Sequence, residues 1–268
     1  MILDRAKIIE KWYKALNFDS RYDVEFYDAL REIKIEDCKI DNYDTKEKNG
    51  KKNFLSYLYM CEELSKQYKQ KGISEEILYD TLSDIGRWLD TWSELEEGLY
   101  LGELNWLKRH LSMKLFKLGR LQFAFGEAIC DLAEKNIKKG DNVIEVHIPA
   151  EGPLLKSECE KSFEMAKNFF KEFYPDYEYK YFTCYSWLMD RSLKNLLKND
   201  SNMLMFQDLF EVFAPEESYS ILKYVFKWNT TKENLNSCVD ASSFARKVKE
   251  RINDGGKFYE ALGVIEAN

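Results

Sequence analysis

Residues 143–154 read Val-Ile-Glu-Val-His-Ile-Pro-Ala-Glu-Gly-Pro-Leu. A strand has a side-chain period of two, so Ile144, Val146 and Ile148 fall on one side and Glu145 and His147 on the other. Two prolines around a glycine then end the strand in a turn. Downstream, Leu155, Cys159, Phe163, Ala166, Phe170 and Phe173 recur every three or four positions. That spacing predicts a helix over about 154–173 with one apolar face laid on a sheet. Strand, turn and covering helix together are the repeating unit of a layered α/β structure.

The rest of the C-terminal half, 114–268, follows from this unit. Leu-Phe-Lys-Leu-Gly-Arg-Leu-Gln-Phe (115–123) reads as a strand, and so do 179–185, a segment near 203–213 and the Gly-Gly-Lys-Phe-Tyr-Glu-Ala-Leu-Gly-Val-Ile run at 255–265. Helices are expected from Asp190 and near 216–227 and 241–253. Two strands close together at the start and one at the end predict a mixed sheet.

Residues 1–113 read as helical. Ile8, Ile9, Trp12 and Leu16 share one stripe, and Val24, Tyr27 and Leu30 another. The charged stretch 44–53 is turn-prone. A helix from about Phe54 to Lys71 should stop at Gly72, and Ser74 should cap the next, which runs to about 96. A shorter helix is expected over 102–113. The fold class is therefore α+β: a helical N-terminal domain, 1–113, and a mixed sheet with flanking helices, 114–268.

Composition narrows the function. The chain has 268 residues, a net charge of −7 and 40 Lys+Arg against 47 Asp+Glu, interleaved as on solvated helix faces. No basic footprint for nucleic acid is present. No apolar run approaches the roughly 20 residues of a spanning helix, and the start, Met-Ile-Leu-Asp-Arg, lacks the pattern of a signal peptide. The six cysteines form no Cys-x-x-Cys and take no metal spacing with histidine, so reduced thiols, no metal and a cytoplasmic location are expected.

The polar strand faces supply the candidate site. Glu145 and His147 share a side, as do Arg120 and Gln122 in the preceding strand. Near 203–213, Gln207 or Asp208 interrupts an apolar run. Few polar groups among apolar walls describe a substrate cleft, although a solvated face accounts for them too. His147 suits a general base, with Glu145 orienting or replacing it. Cys184 and Ser186 carry nucleophilic atoms, but with only two histidines in the chain no triad forms around them in sequence. The turn into the helix leaves backbone amides open to an anion, with Glu151 opposing.

Asp-Ile-Gly-Arg-Trp (84–88), the 115–123 segment, Val-His-Ile-Pro…Gly-Pro-Leu (146–154), Cys-Tyr-Ser-Trp-Leu-Met-Asp (184–190) and Phe-Gln-Asp (206–208) occur in this order. They resemble the bacterial acyltransferase domain-containing proteins, which join a helical N-acyltransferase N-terminal domain to a GNAT-like C-terminal domain. The resemblance implies acyl transfer from acetyl-CoA or another acyl-CoA to a small-molecule amine. It also implies a coenzyme pyrophosphate at the strand-to-helix junction, here Ile148, Ala150, Gly152, Leu154 and Leu155. The superfamily's Arg/Gln-x-x-Gly-x-Gly/Ala loop is absent. Tyr185 stands where the resemblance implies histidine, and Tyr185 becomes the candidate acid for the leaving thiolate. A catalytically silent GNAT-like binder is the alternative, and the aromatic N-terminal half offers a surface for a homodimer.

Overall fold

The computed structural model describes residues 2–35, 38–46 and 48–267. Its two units divide between Leu118 and Gly119. The first carries helices α1 (Ile2–Ala15), α2 (Asp23–Glu32), α3 (Gly50–Lys71), α4 (Glu75–Leu82), α5 (Asp84–Leu95) and α6 (Leu104–Leu111). Strand β1 (Leu115–Leu118) ends it.

Helix α3 illustrates how local chemistry sets these bounds. The Asn49 side chain accepts from the Lys52 amide at its start. Gly72, at φ +77°, ends it: Gly72 N–H donates to Lys69 O and Ile73 N–H to Tyr68 O, the paired bonds of a Schellman stop. Ser74 caps α4 through the Ile77 amide. The single helix expected to run to about 96 is two, because the Ser83 hydroxyl turns back to Asp80 O (2.6 Å) at the break. Inside, Tyr13 stacks on Phe26 at 3.7 Å between ring centroids, and Phe18 meets Phe54 edge-on at 5.0 Å.

A polar knot joins α5 to α6. Buried Asp84 accepts from Trp88 Nε1 (3.2 Å) and Trp106 Nε1 (2.7 Å). The fully buried His110 places Nε2 3.2 Å from the same carboxylate, close as an ion pair but not aligned as a hydrogen bond. Burial pushes the Asp84 carboxyl up, but His110 and the two indoles hold it below its ordinary range.

The second unit contains β2 (Leu121–Glu127), β3 (Asn142–His147), α7 (Lys156–Phe173), β4 (Tyr181–Ser186), α8 (Asn202–Gln207), β5 (Glu211–Glu217), α9 (Ile221–Val225), α10 (Ser243–Asn253) and β6 (Tyr259–Glu266). The sheet order is β1-β2-β3-β4-β6-β5. β3 and β4 are parallel, and β2/β3, β4/β6 and β5/β6 are antiparallel, so the sheet is mixed.

Two strand expectations fail. The 115–123 segment is two strands joined through Gly119 and Arg120. Gly119 has φ +71°, a left-handed conformation that favours glycine and ends the first strand. The segment near 203–213 is α8 followed by β5. Its unbroken apolar run, Met203 to Phe206, carries no period that separates a buried helical turn from a buried strand.

The register sorts the side chains of the second unit. Phe123, Phe125, Ile144, Val146, Phe182 and Cys184 point to the face covered by α7, where Phe163 meets Phe123 and Phe182 edge-on at 5.6 and 5.2 Å. Each ring so buried contributes about 2–3 kcal/mol. On the opposite face a strap, residues 128–141, lays Ala128, Leu132 and Ile137 over Val143, Leu262 and Val264. Lys135 fastens it by pairing with Glu211 and by accepting, at its carbonyl, the Tyr181 hydroxyl (2.7 Å). The strap covers this face around Val143, Tyr181 and Leu262, and on the same face Glu145 and His147 stay half-buried and Tyr185 exposed.

Candidate functional site

The β2–β3 ladder sets Gln122 opposite His147 and Ala124 opposite Glu145, so Gln122, Glu145 and His147 share the strap face. His147 Nε2 lies 3.1 Å from Glu145 Oε2, and both side chains are about 29% exposed. A carboxylate only accepts, so Nε2 carries the proton and the neutral ring's lone pair falls on Nδ1. Gly126 makes room for the pair: a Cβ there would stand 2.5 Å from Glu145 Cγ. Tyr177, which the sequence did not single out, hydroxyl-bonds Gly126 O (2.8 Å) and Val143 O (3.1 Å) and secures the backbone under Glu145.

β3 and β4 pair only at Ile144–Phe182 and Glu145–Thr183. Past that level β3 continues to His147 and β4 to Ser186 with no pairing recorded between them. Counting on from Glu145 and Thr183, His147 and Tyr185 reach the same height on the two sides of this opening, on one face. Tyr185 is 44% exposed and donates to Glu216 Oε2 (3.2 Å). Burial, then Glu216 and Glu260, push its phenol pKa up, which keeps it protonated at neutral pH. Glu216 and Glu260 themselves stand directly opposite in the β5–β6 ladder. Cys184 faces the other way, fully buried, its thiol pushed up to about 12 by burial, and cannot meet His147.

The structure does not bring the four residues of the expected substrate cleft together on one face. Gln122 is on the face with His147, but Arg120 is not. Arg120 sits in the β1–β2 turn, and its guanidinium donates to Pro153 O, Pro149 O and Gly152 O, each at 2.9 Å. The Ser162 hydroxyl, another residue missed in sequence, holds this turn by accepting from Arg120 N–H (2.8 Å). Gln207 is buried at the end of α8, where Nε2 donates to Leu188 O (2.8 Å) and Asp190 O (3.0 Å). Asp208 pairs with Arg191 (3.2 Å). Both belong to the α8 packing and not to the strap face, because the segment is helical where a strand was expected.

Ile148 to Leu155 form the connection from β3 to α7, with Leu155 as the N-cap residue and no side-chain cap. Gly152 takes φ +73° with open space around it. The backbone amides of Ala150, Glu151, Gly152, Leu154 and Leu155 donate to no described residue. From the first turn of α7 a groove of about 660 Å³ runs along the helix, lined by Ser157, Lys161, Phe163, Met165, Phe182 and Leu209 among others. Among the described residues no group of His, Cys, Asp and Glu is placed to hold a metal, and no helix is long and apolar enough to cross a membrane.

Residues 4–113 match the family model of the N-acyltransferase N-terminal domain, and 115–265 that of the GNAT-like C-terminal domain. Among solved structures, an acyltransferase in complex with decanoyl-CoA and teicoplanin is similar over 80% of this chain and 65% of its own, at TM-score 0.70 and 24% identity. An acyltransferase with CoA and 10C-teicoplanin matches over the same shares at TM-score 0.70 and 23% identity. One with decanoyl-CoA matches at TM-score 0.69 and 24% identity, over 79% of this chain and 64% of its own. At such identities the likeness is one of fold, and the match spans just under two thirds of those chains. Curated protein sequences give no match.

Proposed function

We propose that this chain, which belongs to the family joining an N-acyltransferase N-terminal domain to a GNAT-like C-terminal domain, transfers an acyl group from an acyl-CoA thioester to an amine. The observation that carries the reading is the opening between β3 and β4, flanked on one face by the Glu145–His147 pair and by Tyr185. The solved neighbours are acyltransferases holding acyl-CoA or CoA, which supports the donor class.

In this reading the coenzyme's pyrophosphate rests on the amides of 150–155, and the pantetheine arm passes from there into the opening between β3 and β4. The incoming amine attacks the thioester carbonyl carbon, so a C–N bond forms and the C–S bond breaks. His147 Nδ1 takes the amine proton, and Glu145 orients the ring and stabilises the imidazolium. Tyr185 gives its phenol proton to the departing thiolate. Free CoA and an amide are the products.

The test is thiol release from acetyl-, octanoyl- and decanoyl-CoA with a panel of primary amines. Amine-dependent release that disappears in Glu145→Gln supports the reading; a chain that binds acyl-CoA but releases no thiol with any amine contradicts it. A second reading, a GNAT-like fold that binds without turnover, is favoured by Glu151, an acidic residue in the turn that would receive the anion.

A further inference from the structure

The 149–153 turn lacks the glycine pattern of the superfamily, yet its backbone is held in one conformation from outside. Three of the five N–H groups of Arg120 are spent on the carbonyls of Pro149, Gly152 and Pro153. Among the described residues no peptide bond is cis. In a planar trans peptide the N–H points opposite to the C=O of the same unit. The Pro149 carbonyl shares its peptide with the Ala150 amide, and the Pro153 carbonyl with the Leu154 amide. Drawing both carbonyls onto one guanidinium therefore turns the Ala150 and Leu154 amides away from it, to a common side. Gly152, at φ +73°, supplies the reversal between them.

We propose that Arg120 is the positioning residue of the coenzyme site: reaching over from the β1–β2 turn, it replaces the missing glycine pattern by fixing the 149–153 backbone with its amides presented to the pyrophosphate. The proposal rests on the acyl-CoA reading above. Arg120 lies on the carbonyl side and does not itself touch the phosphates. Its influence passes through the turn, with the guanidinium charge on the carbonyl side and the Glu151 carboxylate close enough to interact with it.

The test uses the full chain and three donors that share one acyl group: acyl-CoA, acyl-dephospho-CoA, which keeps the pyrophosphate, and acyl-pantetheine, which has none. In Arg120→Gln, KM for the two pyrophosphate-bearing donors should rise about tenfold or more while acyl-pantetheine changes less than twofold, a split that general loss of folding does not produce. Glu151→Gln keeps the clamp and should tighten CoA and dephospho-CoA severalfold in calorimetry, so the idea stays testable if Arg120→Gln folds poorly. Equal losses for all three donors in Arg120→Gln, or no change in Glu151→Gln, would overturn the proposal while leaving the acyl-CoA reading intact. Failure of the unaltered chain to bind CoA would overturn both.

Discussion

At the scale of single residues, the account turns on whether Glu145 and His147 act as a unit. His147→Ala should lower kcat by about 10²-fold or more, with acyl-CoA affinity unchanged in calorimetry, because a general base acts in the transition state rather than in donor binding. Gly126 offers a less direct probe. A Cβ at 126 would meet the Glu145 side chain at 2.5 Å, and that side chain can swing aside. Gly126→Ala should therefore melt within a few degrees of the unaltered protein while losing much of its turnover, since the displaced carboxylate no longer orients His147. If turnover survives in Gly126→Ala, the pair is not the working unit. The Glu145–His147 pairing was readable from strand parity alone, because two residues of one strand need only the period of two. Tyr185 was named for its place in a motif, and its partner Glu216, 31 positions away, was beyond any local pattern.

At the scale of elements, the Asp84 knot ties α5 to α6 within the helical unit. Removing the charge while keeping the shape, Asp84→Asn, leaves one neutral amide oxygen to serve two buried indoles and places an amide donor near His110, and should cost about 1–3 kcal/mol in chemical denaturation. The pH dependence has a definite sign. The carboxyl is held below its ordinary range in the fold, so its contribution is fully present above the unfolded value near 4 and is lost as pH falls through the lower folded value. The melting temperature of the unaltered chain should thus fall between pH 5 and pH 3 by more than that of Asp84→Asn; parallel curves would remove Asp84 from the acid response. Helix limits set by caps, such as Gly72 and Ser74, were legible because a cap acts within four residues, whereas the Asn49 cap was missed in the charged 44–53 stretch and the helix begins at Gly50 instead of about Phe54. The Gly119-Arg120 hairpin was also written in the sequence, as a glycine inside a strand-like run, but the apolar pattern continues through it. Residues 203–213 were not legible, because their helical turn is chosen by Gln207 bonding to Leu188 and Asp190, far back along the chain.

At the scale of the whole molecule, the mixed sheet, the helix α7 on one face and the helical first half were expected from periodicity and from the family resemblance. The Arg120 clamp was not, because it joins a turn at 120 to carbonyls 29–33 residues later and depends on the sheet having folded. The central claim concerns the whole chain: that it takes its acyl group from coenzyme A. Titration of decanoyl-CoA into this chain in a calorimeter measures this most directly. The account predicts a single saturable site with a dissociation constant in the micromolar range, weakened in Arg120→Gln. An absence of binding heat and of thermal stabilisation up to millimolar decanoyl-CoA would contradict it.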